Sequence, residues 1–208
     1  MTDTPDPGSL RDQYDHLAGL IDSGNQADAR RDAGEFGEAV VDGFIEAVDG
    51  GHHLDQHTPE SKPQGIDAMY LSDTDDRVHV AEDKTIAWGD YHAPYMSRTV
   101  DGRQNDDNWV ADRSRDTQLD IEPDQIGHGD DQVGKEVFQV DVPSDTLARY
   151  GVEPDGSLES NAPDEIYSLS DVIDAVDGWN GVETDEASAD TAQDDAEAGE
   201  SAGEQASG

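Results

Sequence analysis

The sequence has no cysteine, only three lysines and no run of about 18 apolar residues. Without cysteine there can be no disulfide, no thiolate zinc site and no thiol nucleophile. Without a long apolar run there is no candidate membrane-spanning helix. The first residues lack the basic and apolar regions of a signal peptide, so the sequence predicts a cytoplasmic protein with no membrane partner.

Acidic residues are in large excess. Among 208 residues, 51 Asp and Glu stand against 12 Lys and Arg, which gives a net charge of -39. Such a charge suits either an unfolded polyanion or a folded protein in concentrated salt, where a Debye length of about 3 Å at 1 M cancels self-repulsion. The composition, poor in lysine and rich in aspartate, resembles that of extreme halophiles and favours the folded protein.

The acids and the apolar residues divide the chain into three parts. Residues 183–208 carry nine acids, no base and no large apolar side chain, which predicts a disordered acidic tail. That tail is either a segment that binds a protein partner or a solvated end. Residues 1–26 are predicted to form an N-terminal helix that starts at Ser9, and residues 27–182 are predicted to form one domain.

Periodicity predicts the elements of that domain. A helical stripe runs from Ala27 to Val48, and two alternating segments separated by a turn cluster predict a β-hairpin. The fold class is therefore α/β (α+β), with a mixed central sheet flanked by helices. The remaining predicted elements are hairpin strands at 65–70 and 78–84, a helix at 108–113, a strand at 135–142 and a helix at 170–176.

Four residues of the helix and hairpin form a candidate site for chemistry. Asp67 lies on the first strand, Glu82 and Lys84 share one face of the second, and Glu38 lies on the helix before them. A hard cation such as Mg²⁺ binds through one or two carboxylates while keeping waters and open positions for phosphate oxygens. Lys84 could hold an attacking water or stabilise negative charge, so phosphodiester hydrolysis is the natural reaction.

These residues, Glu38, Gly65-Ile66-Asp67 and Glu82-Asp83-Lys84, resemble the PD-(D/E)XK nuclease superfamily, with Ile66 where the name-giving proline would stand. The resemblance implies a restriction-endonuclease-like core and a Mg²⁺ or Mn²⁺ cofactor. It implies that Asp67 and Glu82 ligate the metal, that the Asp83 carbonyl completes the site, that Lys84 positions the water and that Glu38 supports the metal. It also implies a nucleic-acid substrate, DNA more than RNA.

A narrower resemblance, to nuclease domains of bacterial polymorphic toxins, rests on 62–67, Tyr95-Met96-Ser97 and 109–113. The sequence keeps other interpretations open, because the acid-x-lysine spacing recurs at Glu60-Ser61-Lys62. The hairpin could carry only a surface Glu-Lys pair, which contributes about 0 to 1 kcal/mol. The fold could be catalytically inactive and bind nucleic acid or protein, or the chain could be an acidic adaptor. A homodimer is also open.

The substrate must approach a polyanion, so the distribution of basic residues matters. Residues 84–119 contain five bases and six acids, which makes this window nearly neutral in a very acidic chain. Trp88, Tyr91 and Tyr95 in the same window are either core residues or a surface on which bases stack. The candidate nucleic-acid contacts are Arg98, Arg103, Arg113 and Arg115.

Overall fold

A computed structural model describes residues 9–54, 66–99, 102–115, 121–127 and 132–180. The predicted tail at 183–208, Lys62 and the second acid-x-lysine triplet lie outside these residues. Four helices are present: α1 Leu10–Asp22, α2 Gln26–Ala47, α3 Asp107–Ser114 and α4 at 169–180, together with a short 3₁₀ helix at Pro123–Gln125. None of the helices in the described ranges is long and apolar enough to cross a membrane.

Side-chain caps account for two of the helix starts. The Ser9 hydroxyl accepts a hydrogen bond from the backbone N–H of Asp12 at 3.2 Å, and the Asp106 carboxylate accepts one from Trp109 at 2.8 Å. Each cap satisfies a backbone donor that the first turn leaves unpaired. The predicted start of α1 at Ser9 is confirmed.

The central sheet has six strands in the order β1-β2-β3-β6-β7-β8, and β4 pairs with β5 as a separate ribbon. Only the β3-β6 pair in the large sheet is parallel. The strands are β1 His52–His53, β2 Ala68–Leu71, β3 Val78–Ile86, β4 Arg98–Thr99, β5 Gly102–Arg103, β6 Gly134–Asp141, β7 Thr146–Gly151 and β8 Glu165–Ser168.

Both faces of this sheet are covered. Helices α1, α2 and α4 pack on one face, against side chains that include Tyr70, Phe138 and Leu147. Helix α3 covers part of the other face, where Trp109 and Val110 meet Met69 and Val80 of β2 and β3. The α1 residues Leu10 and Leu17 are buried in the same core as α2, so α1 is an integral part of the main fold.

The predicted class, a mixed sheet flanked by helices, is confirmed, and so is the predicted helix and hairpin α2-β2-β3. Successive residues of β3 face opposite layers, because Ala81 packs under α2 while Val80 packs under α3. This alternation decides which acidic side chains of β3 can meet.

Candidate functional site

The β2-β3 hairpin brings Asp67 close to Glu82. Its antiparallel register pairs Ala68 with Ala81, so continuing it by one residue sets Asp67 opposite Glu82. The Asp67 side chain turns over β3, where Oδ2 accepts the backbone N–H of Asp83 at 3.0 Å. Asp67 itself is exposed, so one carboxylate of the candidate site is open to solvent.

Glu82 is buried, with 2% of its surface exposed. Its Oε1 accepts hydrogen bonds from the Lys84 ammonium and, at 2.8 Å, from the Gln104 amide nitrogen. Its Oε2 is buried with no hydrogen-bond partner in the described part of the chain. Burial, and after it the charge of Asp67, raises the pKa of Glu82 to about 7, although Lys84 opposes the shift.

Lys84 lies two residues beyond Glu82 on the same face of β3, and its side chain is 27% exposed. The ammonium therefore contacts the buried carboxylate and still reaches solvent. The structure thus brings together Asp67, Glu82 and Lys84 at one end of the hairpin.

The Asp83 side chain lies on the opposite face of β3, beneath α2, and meets Glu38, which α2 itself carries. With Asp67 and Asp42 they line a cavity of about 10 Å³, close to the smallest that holds one water. Burial first, and then the charge of Asp67, raises the pKa of Asp83 to about 8. Glu38 is exposed, and its pKa is raised by partial desolvation and then by the charge of Asp67. Glu38 thus approaches Asp67 from the side away from Glu82.

Sequence reasoning assigned only the carbonyl of Asp83 and missed its carboxyl. The signal was present in the strand alternation, which turns Asp83 towards α2 whenever Glu82 faces away. The close approach of α2 also depends on Gly37, where an added Cβ would lie 1.8 Å from Thr85 Oγ1 and 3.4 Å from Asp83 Oδ2.

The structure separates the four arginines into two pairs. Arg98 and Arg103 face each other across the β4-β5 ribbon. Arg113 in the last turn of α3 and Arg115 just after it both contact Asp112, at 3.2 and 3.3 Å, and Arg113 also packs over the Trp109 ring. Arg113 is therefore a packing residue of α3, while Arg98 and Arg103 form a basic pair.

Gln104 is a site residue that the sequence did not suggest. It follows Arg103, its backbone N–H donates to the Ser97 carbonyl at 2.9 Å, and its side chain donates to Glu82. The ribbon that carries the two arginines is thereby joined to the buried carboxylate. No sequence pattern marks it, because a lone glutamine after a turn is common.

The carboxylate oxygens of Asp67 and Glu82 are ligands that suit a small hard cation. In the described ranges no cluster of three or more His, Cys, Asp or Glu side chains is placed to hold a metal. Mg²⁺, however, needs only one or two carboxylates when water and phosphate oxygens complete its shell. Asp67 supplies an exposed carboxylate, and Glu82 supplies a buried oxygen that no group in the described ranges hydrogen-bonds, which is the kind of atom a cation would satisfy.

Comparison with known proteins found no family model, curated protein or solved structure that matches the chain. The chemistry must therefore be argued from the arrangement of its own residues.

Proposed function

We propose that the protein is a metal-dependent nuclease with a restriction-endonuclease-like core, which hydrolyses phosphodiester bonds and acts on DNA more than RNA. The observation that carries the proposal is the meeting of Asp67, Glu82 and Lys84 at one end of the β2-β3 hairpin, where one buried Glu82 oxygen has no hydrogen-bond partner among the described residues. A solvated Glu-Lys surface pair would not bury the glutamate to 2% exposure.

The carboxylates of Asp67 and Glu82 would hold Mg²⁺ or Mn²⁺. Glu38, on α2, would lie farther from the cation than these two carboxylates. When bound, the cation would supply Lewis-acid polarisation of a phosphate oxygen. Lys84 would exchange part of its contact with Glu82 for the phosphate or the attacking water and stabilise negative charge there. Gln104 would keep Glu82 oriented through its 2.8 Å hydrogen bond.

The test is cleavage of supercoiled plasmid and of a labelled oligonucleotide in molar KCl with Mg²⁺ or Mn²⁺. We expect Lys84→Met and Glu82→Gln to lose activity by about 100-fold or more, as removal of one electrostatic stabiliser does elsewhere. Asp73→Asn, which changes an aspartate with a 63% exposed side chain, is the matched control and should cleave normally. Equal cleavage by Lys84→Met and the parent protein at equal folded fraction would overturn the proposal.

A second function is a nucleic-acid binding module with the same fold but without chemistry. The observation in its favour is that Lys84 already contacts Glu82 and that the described ranges contain no three-ligand metal cluster. Metal-independent binding without any cleavage would identify this function. The Asp83→Asn variant tests which of the two carboxyls of β3 is needed. The nuclease proposal requires the Glu82 carboxylate, so it predicts a smaller loss of cleavage for Asp83→Asn than for Glu82→Gln.

A further inference from the structure

Three aromatic side chains stand exposed directly after the strand that carries Glu82 and Lys84. Trp88, Tyr91 and Tyr95 are 40%, 42% and 72% exposed. Of the two interpretations that the sequence left open, core residues or an exposed aromatic surface, their exposure excludes the first. Only three other large apolar side chains in the described ranges are as exposed, namely Val48, Ile166 and Trp179. We call residues 88–95 the aromatic segment.

The aromatic segment is held beside Lys84. Gln139 is the register partner of Lys84 in β6, and its amide nitrogen donates to the His92 carbonyl at 2.8 Å. The Tyr91 hydroxyl hydrogen-bonds to the Tyr150 hydroxyl of β7. Met96, at the end of the segment, is 4% exposed and packs in a cluster with Tyr150. The exposed rings therefore project from a backbone that is anchored at three points.

The basic pair belongs to a ribbon whose ends connect with the aromatic segment and with Glu82. Ser97 continues the chain from the aromatic segment into β4, and Gln104 returns from β5 to the Glu82 carboxylate. Arg98 and Arg103 lie between these two contacts and face each other across the ribbon. Glu82 is therefore joined through Gln104 to the ribbon that carries the two arginines, and Lys84 is joined through its register partner Gln139 to the aromatic segment.

Salt decides what such a surface can bind. At molar salt the Debye length is about 3 Å, and affinity that depends on many phosphate contacts falls steeply. Stacking of a base on an aromatic ring involves no counterion release and contributes about 1 to 3 kcal/mol per base. In duplex DNA the base faces are already stacked on one another, so they are closed to these rings.

We propose that the aromatic segment is a stacking platform for unpaired bases, so that the substrate of this site is single-stranded DNA or a frayed end. This rests on the proposed function for the identity of the site, but the platform is a binding surface and does not require cleavage. Arg98 and Arg103 contact two phosphates of the strand, which passes over Lys84.

The test measures binding alone, by fluorescence anisotropy in molar KCl with EDTA, so that cleavage plays no part. The probe is a labelled single-stranded DNA of about 15 nucleotides, within the range that such surfaces span, and the competitor is the same sequence as a blunt duplex. Tyr95→Ala should weaken single-strand binding by about 5- to 100-fold, the effect of losing one stacked base, and Tyr95→Phe should restore it. Trp88→Ala should act in the same direction.

The matched control is Trp179→Ala, which removes a 47% exposed tryptophan from α4 on the opposite face of the sheet and should leave affinity unchanged. With two phosphate contacts, the slope of log K against log [KCl] should be about -1.4 for a single strand.

Three results would overturn the platform. The first is that the duplex binds as tightly as the single strand. The second is that Trp179→Ala and Tyr95→Ala lose the same amount of single-strand affinity. The third is that neither DNA binds, which would indicate that the exposed rings contact a protein partner instead. Tight single-strand binding without cleavage in Mg²⁺ would instead support the platform and contradict the proposed nuclease activity.

Discussion

Glu82→Gln should stabilise the protein at alkaline pH when no divalent cation is present. Burial raises the pKa of Glu82 from 4.5 to about 7, so the folded protein binds this proton more tightly than the unfolded chain does. Its contribution to the free energy of unfolding is therefore most favourable at low pH, falls as the pH rises from 4.5 to about 7 and is constant above that range.

A shift of this size corresponds to about 3 kcal/mol of lost stability once Glu82 is ionised. Because Glu82 is 2% exposed, screening by solvent reduces this loss of stability only slightly. Glutamine keeps the acceptor for Gln104 and removes the charge. We expect Glu82→Gln to be about 2 to 3 kcal/mol more stable than the parent protein at about pH 8 and nearly equal to it at about pH 4.

The assay is urea denaturation in molar KCl with EDTA across this pH range. In a chain of this size the same difference would appear as about 5 to 10 °C in the melting temperature. Glu35→Gln, which changes an exposed glutamate of α2, is the control and should follow the parent protein at every pH. Identical pH profiles for Glu82→Gln and the parent protein would refute the argument that this carboxylate is buried at a cost.

Three further predictions concern the metal and the packing. Saturating Mg²⁺ at about 100 times its Kd should stabilise the parent protein by about 3 kcal/mol in thermal melts and leave Asp67→Asn unchanged; equal stabilisation of both would contradict the assigned ligand. Gly37→Ala should destabilise by about 1 to 3 kcal/mol, because its Cβ would lie 1.8 Å from Thr85 Oγ1, whereas Gly34→Ala on the same helix meets nothing and should stabilise by about 0.5 to 1 kcal/mol. Lys135→Met should lower the free energy of unfolding by about 3 to 5 kcal/mol, as measured by urea denaturation, because this 9% exposed lysine donates to two carbonyls and a carboxylate. A decrease below about 1 kcal/mol would show that water satisfies these acceptors.

The sequence was sufficient for the elements with strong periodicity. The apolar stripe of α2 and the alternation of β3 come from residue spacing alone, and their bounds agree with the structure within two residues. Strands β7 and β8 were not predicted, because Thr146–Gly151 and Glu165–Ser168 are strands through their pairing with β6 and with each other, which the local sequence does not specify.

The candidate site could be predicted only where it is local in sequence. Glu82 and Lys84 are two residues apart on one strand, and Asp67 comes opposite them through a short hairpin, so a pattern could find all three. Gln104 reaches Glu82 from 22 residues away, and the basic pair of Arg98 and Arg103 depends on that same ribbon. Such contacts follow from tertiary packing, which no spacing rule encodes.

On the proposed mechanism, Asp67 and Glu82 hold a divalent cation that makes the site hydrolytic. The most direct measurement is the initial rate of single-stranded DNA cleavage in molar KCl, with Mg²⁺ and with EDTA, for the parent protein and Asp67→Asn at equal folded fraction. We expect the parent protein to cleave in Mg²⁺ and not in EDTA, and Asp67→Asn to cleave at a rate at least about 100-fold lower. Cleavage that persists in EDTA, or that Asp67→Asn carries out at the parent rate, would contradict this mechanism.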